Sequence, residues 1–112
     1  MKFKKNNEVQ WEGVTNNPDI KKKVFVKNGE IPKVTIFGEA VFKPGQLANP
    51  HKHDTMYEVF YILEGELTFG VEGKEIKALK GDNIVVGPGE IHSQRNDTQS
   101  DAKLVYFGIA VD

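Results

Sequence analysis

Residues 44–65 read PGQLANPHKHDTMYEVFYILEG, and this stretch decides how the rest of the chain is read. Two of the chain's 3 histidines, His51 and His53, stand one residue apart in it, and Glu58 follows five positions later inside an apolar run. In a strand, side chains alternate faces, so residues i and i+2 point the same way, roughly 7 Å apart. On a strand over 49–54, both imidazoles therefore aim at one point. The same alternation puts Glu58 on the face of Phe60 and Ile62 in a strand over 57–63. If that strand folds back beside the first, the carboxylate reaches the imidazoles. An isolated carboxylate in an apolar interior costs several kcal/mol or a large upward pKa shift, and a cation beside it removes most of that cost.

Working outward, turn signals punctuate the chain: NNPD at 16–19, NGE at 28–30, EGE at 64–66, EGK at 72–74, KGD at 80–82, GPGE at 87–90 and NDTQSD at 96–101. Runs rich in Val, Ile, Phe and Tyr lie between them. Strands are expected at about 23–27, 33–43, 49–54, 57–63, 66–72, 74–79, 83–87, 91–96 and 103–111. No segment keeps a 3.6-residue apolar period, although 7–20 has room for a short helical turn. Glu64-Gly65 and Glu72-Gly73 read as tight hairpin connections between antiparallel strands. The fold class is all-β, an antiparallel jelly roll or small barrel. The 112 residues suggest one domain, 1–112.

Composition narrows the function classes. A net charge of −1 gives nucleic acid no electrostatic footprint. The absence of cysteine removes disulfides, thiolate catalysis and cysteine-ligated metal centres. The longest apolar run, LVYFGIAV, is too short for a membrane span, and no apolar stretch follows the N-terminal lysines as a signal peptide requires. A cytoplasmic protein with neither nucleic acid nor membrane as partner is expected.

His92, the third histidine, follows a second turn-rich stretch, GDNIVVGPGEIH. Three imidazoles and a carboxylate suit a divalent first-row metal. The two stretches together resemble the cupin family. Its first motif, G-x5-HxH-x4-E-x6-G, is met by Gly45, His51, His53, Glu58 and Gly65. Its second, G-x5-P-x-G-x2-H-x3-N, is met by Gly81, Gly89, His92 and Asn96, with Gly87 where the motif has proline and Pro88 one residue later. The resemblance implies a cupin jelly-roll barrel and one six-coordinate divalent metal held by His51, His53, Glu58 and His92. Two adjacent positions would stay open to water, substrate or dioxygen. Iron, manganese, nickel, cobalt, copper and zinc all suit such ligands.

The expected function is that of a small metal-dependent enzyme acting on a small polar or chelating metabolite. Its chemistry would be that of a dioxygenase, or of a lyase or isomerase using the metal as a Lewis acid. The alternative is a small-molecule-binding or sensing domain without turnover. Glu58 is also a candidate catalytic base. Strand parity makes Phe60 and Ile62 wall or core residues, puts Gln94 on the face of His92, and leaves Met56 in the connection between ligand-bearing strands. Arg95 has the opposite parity and should face away. Val59, Tyr61 and Leu63 form a second apolar face on 57–63, and 103–111 is apolar on both faces. A one-sided antiparallel sheet should alternate with polar residues, so something covers that second side. A homodimer is the expectation.

Overall fold

The computed structural model describes residues 1–111. Ten strands form two antiparallel sheets: β1 (Glu12–Val14), β2 (Asn17–Val26), β3 (Val34–Phe42), β4 (Leu47–His51), β5 (Met56–Glu64), β6 (Glu66–Val71), β7 (Lys74–Leu79), β8 (Asn83–Val86), β9 (His92–Arg95) and β10 (Ala102–Ala110). The larger sheet runs β1-β2-β3-β10-β5-β8 and the smaller β4-β9-β6-β7. The chain is thus the all-β jelly roll expected from its turn spacing. Between the sheets lies a core of Ile20, Phe42, Ile62, Leu67, Phe69 and Leu104, with smaller side chains filling the gaps. Period-two burial is sharpest in β5, where Glu58, Phe60 and Ile62 turn inward and Tyr57 and Tyr61 stay out.

The N-terminal third departs from the expectation. A 3-10 turn occupies Asn6–Glu8, but β1 and the first half of β2 replace the rest of the helical turn expected over 7–20. Pro18 and the lysines hide this hairpin from hydropathy, because the first half of β2 is an inward Ile20 among polar and charged residues. Gly13 is what lets it close: a Cβ there would lie 2.6 Å from the Pro18 carbonyl oxygen. The hairpin is then tied to β4, Asn17 Nδ2 donating to the Leu47 carbonyl and Asn49 Nδ2 to that of Asn16.

The two expected hairpins fare differently. Glu72-Gly73 joins β6 to β7 with φ of 48° and 79°, the doubly left-handed turn that matches strand twist. Glu64-Gly65 does not make a hairpin. β5 belongs to the larger sheet and β6 to the smaller, so this dipeptide is the corner where the chain changes sheets. Gly65 has φ 76°, and a Cβ would lie 2.7 Å from the Asp101 carbonyl oxygen. A tight EG dipeptide looks the same locally whether the next strand pairs with the last or leaves it.

Candidate metal centre

The four polar residues singled out by the sequence come together from both sheets. His51 closes β4 and pairs directly with His92, the first residue of β9, so one cross-strand pair supplies two imidazoles. The strand expected over 49–54 ends at His51, and His53 sits in the bend that follows. Its ring still lies 5.2 Å from that of His51, centroid to centroid. Glu58 does not arrive by β5 folding back beside β4. It reaches across the interior from the opposite sheet. The bend at 52–55 makes that crossing in four residues.

One donor atom from each of His51, His53, Glu58 and His92 lies within 4.8 Å of the others. Glu58 Oε1 stands 3.0 Å from His92 Nε2 and 3.3 Å from His53 Nε2. Two ligands at right angles about an ion, each about 2.1 Å from it, are about 3 Å apart. Both spacings therefore suit adjacent positions on one metal. The Nδ1 atoms of His51 and His92 donate to the carbonyls of Asn49, at 2.7 Å, and Glu90, at 3.0 Å. With that proton placed, each ring presents its Nε2 lone pair to the centre, the usual way a ligand imidazole is oriented.

Gly87 explains how the second motif survives without its proline. Its backbone N–H, which proline would lack, donates to the Glu90 carboxylate at 2.6 Å. Glu90 in turn offers its carbonyl to His92. The N–H of Gly89 donates to the His53 carbonyl at 2.8 Å, so the loop of one motif also holds the ligand segment of the other. Asn96, fully buried, is a structural clamp and not a cavity residue. Its Nδ2 donates to the carbonyls of Phe42 and Ser100, and its Oδ1 accepts from the N–H and hydroxyl of Thr98.

Electrostatics fits a proton-or-metal centre. Burial of His51 lowers its pKa, helped by the neighbouring His92 and His53 and opposed by its hydrogen bond to Asn49. Burial also pulls on His92, but hydrogen bonds to Glu58 and Glu90 and the Glu58 charge outweigh it and leave the pKa raised. A cation between the Glu58 carboxylate oxygen and the His92 Nε2 lone pair, 3.0 Å apart, would remove the cost of facing two acceptors in a buried site. The donor set therefore fits a divalent metal.

A cavity of about 290 Å³ opens beside the cluster, lined by His51, His53 and Glu58 at one end. Phe60 and Gln94 line it as their parity suggests; Met56 lines it too, but as the first residue of β5 and not from the connection before that strand; Ile62 is not on its wall and lies in the core. Thr35 donates its hydroxyl to Met56 Sδ at 3.0 Å, over the space that Gly108 leaves free. Arg95 faces outward, paired with Glu75 and Asp97.

Among the wall residues that the sequence did not single out are Tyr106 and Lys22, both with polar groups. Tyr106 was legible only as a member of one of two apolar faces of its strand, although a tyrosine in a core generally needs a polar partner. Burial, then the Glu58 charge, raises its pKa, so it presents a neutral phenol. Lys22, from β2, carried no signal within a run of three lysines.

The two-sheet barrel with three histidines and a glutamate converging inside it defines a cupin. The family model for the cupin domain matches residues 38–108, and the chain belongs to that family. Among curated relatives, it is 33% identical over 73 residues to an oxalate-binding protein of Thermotoga maritima, covering 65% of this chain and 60% of that one. It is 40% identical over 48 residues to quercetin 2,3-dioxygenase of Bacillus subtilis, covering 43% of this chain and 14% of the enzyme. The chain thus spans less than two thirds of the length of these relatives. Among solved structures, a predicted oxalate decarboxylase from Thermotoga maritima superposes with a TM-score of 0.87 at 25% identity, covering 96% of this chain and 97% of that one. KdgF from a Halomonas species shares the fold, with a TM-score of 0.79 at 21% identity over 96% of this chain and 94% of that one.

Proposed function

We propose that this cupin is a mononuclear divalent-metal enzyme acting on a small metabolite that carries a chelating pair of oxygens. The observation that carries the reading is the convergence of His51, His53, Glu58 and His92 on one point in the wall of a cavity. Four protein donors leave a six-coordinate ion unfilled, which is the mark of a catalytic and not a structural centre. A bound ion of this kind supplies Lewis acidity, and redox chemistry if it is iron or manganese.

The chain's own groups divide the remaining work. Glu58 is the one carboxylate on the cavity wall among the described residues, so it is the group there suited to accept a proton from a ligand beside it. The neutral phenol of Tyr106 can donate a hydrogen bond to a ligand oxygen, and the Gln94 amide can orient one. Aromatic and aliphatic walls exclude water from the rest of the space. The relatives named as an oxalate-binding protein and a dioxygenase both support a chelating ligand. The first name also keeps alive a reading in which the ligand is bound without turnover.

Elemental analysis of protein purified without added metal, paired with an oxygen-uptake screen, separates these chemistries. Redox-active iron or manganese with uptake selects an oxygenase, and zinc or nickel without uptake a lyase or isomerase. The Glu58→Gln variant should keep part of the metal and lose turnover by at least about 100-fold, the scale of general-base catalysis. Full activity in that variant would remove Glu58 from the mechanism.

We also infer a homodimer. The N-terminal segment covers β2, where Asn6 and Trp11 pack on Lys23, but the outer faces of β10, β5 and β8 remain bare. Phe37, Phe107, Val59 and Val85 form one continuous apolar row across four strands there.

A further inference from the structure

The cavity is not built for a ligand that is only a chelating head. Its walls beyond the metal ligands are mostly apolar, and about 290 Å³ sits just below the range usual for drug-sized ligands. Register gives the order along its main wall. Glu58 shares a row with Gly108 and Ile36, Phe60 and Tyr106 form the next inward row, and Leu104, Ala40 and Lys22 the one after. On a flat sheet, the three strand steps and four residues between Glu58 and Lys22 separate their Cα atoms by roughly 20 Å. The curl of the barrel and the length of both side chains shorten that span, and both residues line the same cavity.

Lys22 is the odd member of this wall. Its side chain is 15% exposed, and its ion-pair partner, Glu12, is 4.0 Å away and 55% exposed. An ion pair at that distance with a solvated carboxylate contributes little. A cation drawn into an apolar wall with so weak a partner calls for a better one.

We propose that Lys22 recognises an anionic group at the far end of the ligand. The ligand class is then an elongated acid: a chelating pair of oxygens at the metal, an apolar body along Phe60, Tyr106 and Leu104, and a terminal carboxylate at Lys22. This deepens the proposed function and rests on it for the metal end alone. Oxalate is too short to meet both ends.

The test is calorimetric binding to the manganese-loaded chain of three probes: 2-oxosuberate, which has both ends; 2-oxooctanoate, of the same length without the terminal carboxylate; and oxalate, the head alone. Wild type should prefer 2-oxosuberate to 2-oxooctanoate by about tenfold or more, the scale of one charge-assisted hydrogen bond. Lys22→Met, which keeps the apolar stem, should abolish that ratio, and Lys22→Arg should retain it. Lys22→Gln, which removes the charge and keeps a polar end, reads the same interaction if Lys22→Met fails to fold and should likewise abolish the ratio, whereas Glu12→Gln, at an exposed position, should leave it unchanged. Metal-dependent binding of all three probes with no preference for the diacid, or a preference that survives Lys22→Met, overturns this inference and leaves the metal reading standing. If no probe binds more tightly with manganese than without, both fall.

Discussion

His92 is held at both ring nitrogens, by the Glu90 carbonyl on one side and Glu58 on the other, and the two contacts have different fates when the solution changes. A ligand imidazole must be neutral, so protons compete with the metal for it. In the metal-free chain, against the pull of burial, hydrogen bonds to Glu58 and Glu90 raise the pKa of His92 above 6.5, while burial lowers that of His51. Metal should therefore be released as pH falls through about 6, near the ordinary histidine range. A metal-specific fluorophore in a pH titration reads this, and full retention at pH 4 would contradict a three-histidine site. The metal-free chain has its own dependence. The raised pKa of His92 contributes stability that is complete below 6.5 and is lost as pH rises through the raised value, while the lowered pKa of His51 acts in the opposite sense. Metal-conferred stabilisation should consequently shrink on acidification, measured as the gap in Tm between loaded and stripped protein.

At the scale of elements, the strands that carry the site owe their approach to glycines that hydropathy does not weigh. Gly38 sits where β3 meets the irregular pairing of β2, and a Cβ there would lie 2.4 Å from the Lys23 carbonyl oxygen. That atom is backbone and cannot swing away. Gly38→Ala should destabilise the fold by about 1–3 kcal/mol, the usual cost of overpacking, in a denaturant melt followed by circular dichroism. A change below about 0.5 kcal/mol would mean that β2 can shift freely. The same elements show what could be read from sequence. Period-two alternation found β5 and its inward Glu58 because a polar residue in an apolar rhythm stands out. It also put Gln94 on the face of His92 in β9, but it could not choose an inward face for β10, which is apolar on both. It could not find β1, whose three residues are too few to show a rhythm, nor tell that Glu64-Gly65 changes sheets. Pairing partners are chosen by contacts distant in sequence, and the dipeptide carries no record of them. His51 and His53 converge as expected, but through a strand end and a bend, because β4 pairs with β9 only as far as His51.

For the molecule as a whole, the barrel has two apolar surfaces with different purposes. The inner one encloses the cavity and holds a carboxylate, a phenol and a lysine along a single wall. The outer one, across β3, β10, β5 and β8, leaves Tyr57, Tyr61 and Val85 about half exposed. Exposed apolar faces of this continuity mark association surfaces. Sedimentation at micromolar concentration should give a dimer, and Val85→Glu, at the β8 end of the row and its most exposed member, should weaken it by at least tenfold, on the order of 1–3 kcal/mol for an unpaired charge at an interface. A monomer in both forms would contradict the interface and leave the cavity untouched. The four residues proposed as metal ligands were legible because such chemistry needs them at fixed spacing. Lys22 and Tyr106 were not, since only the curl of the sheet brings β2 and β10 to the same space.

The central claim, that His51, His53, Glu58 and His92 together hold one divalent metal, is tested most directly by metal stoichiometry. Elemental analysis of wild type and of His51→Ala and His92→Ala, dialysed against the same manganese or zinc buffer, should give one ion per chain in wild type. Each variant should fall well below that, with its strand signature intact by circular dichroism. Wild type without metal, or variants that retain one ion per chain, would contradict it.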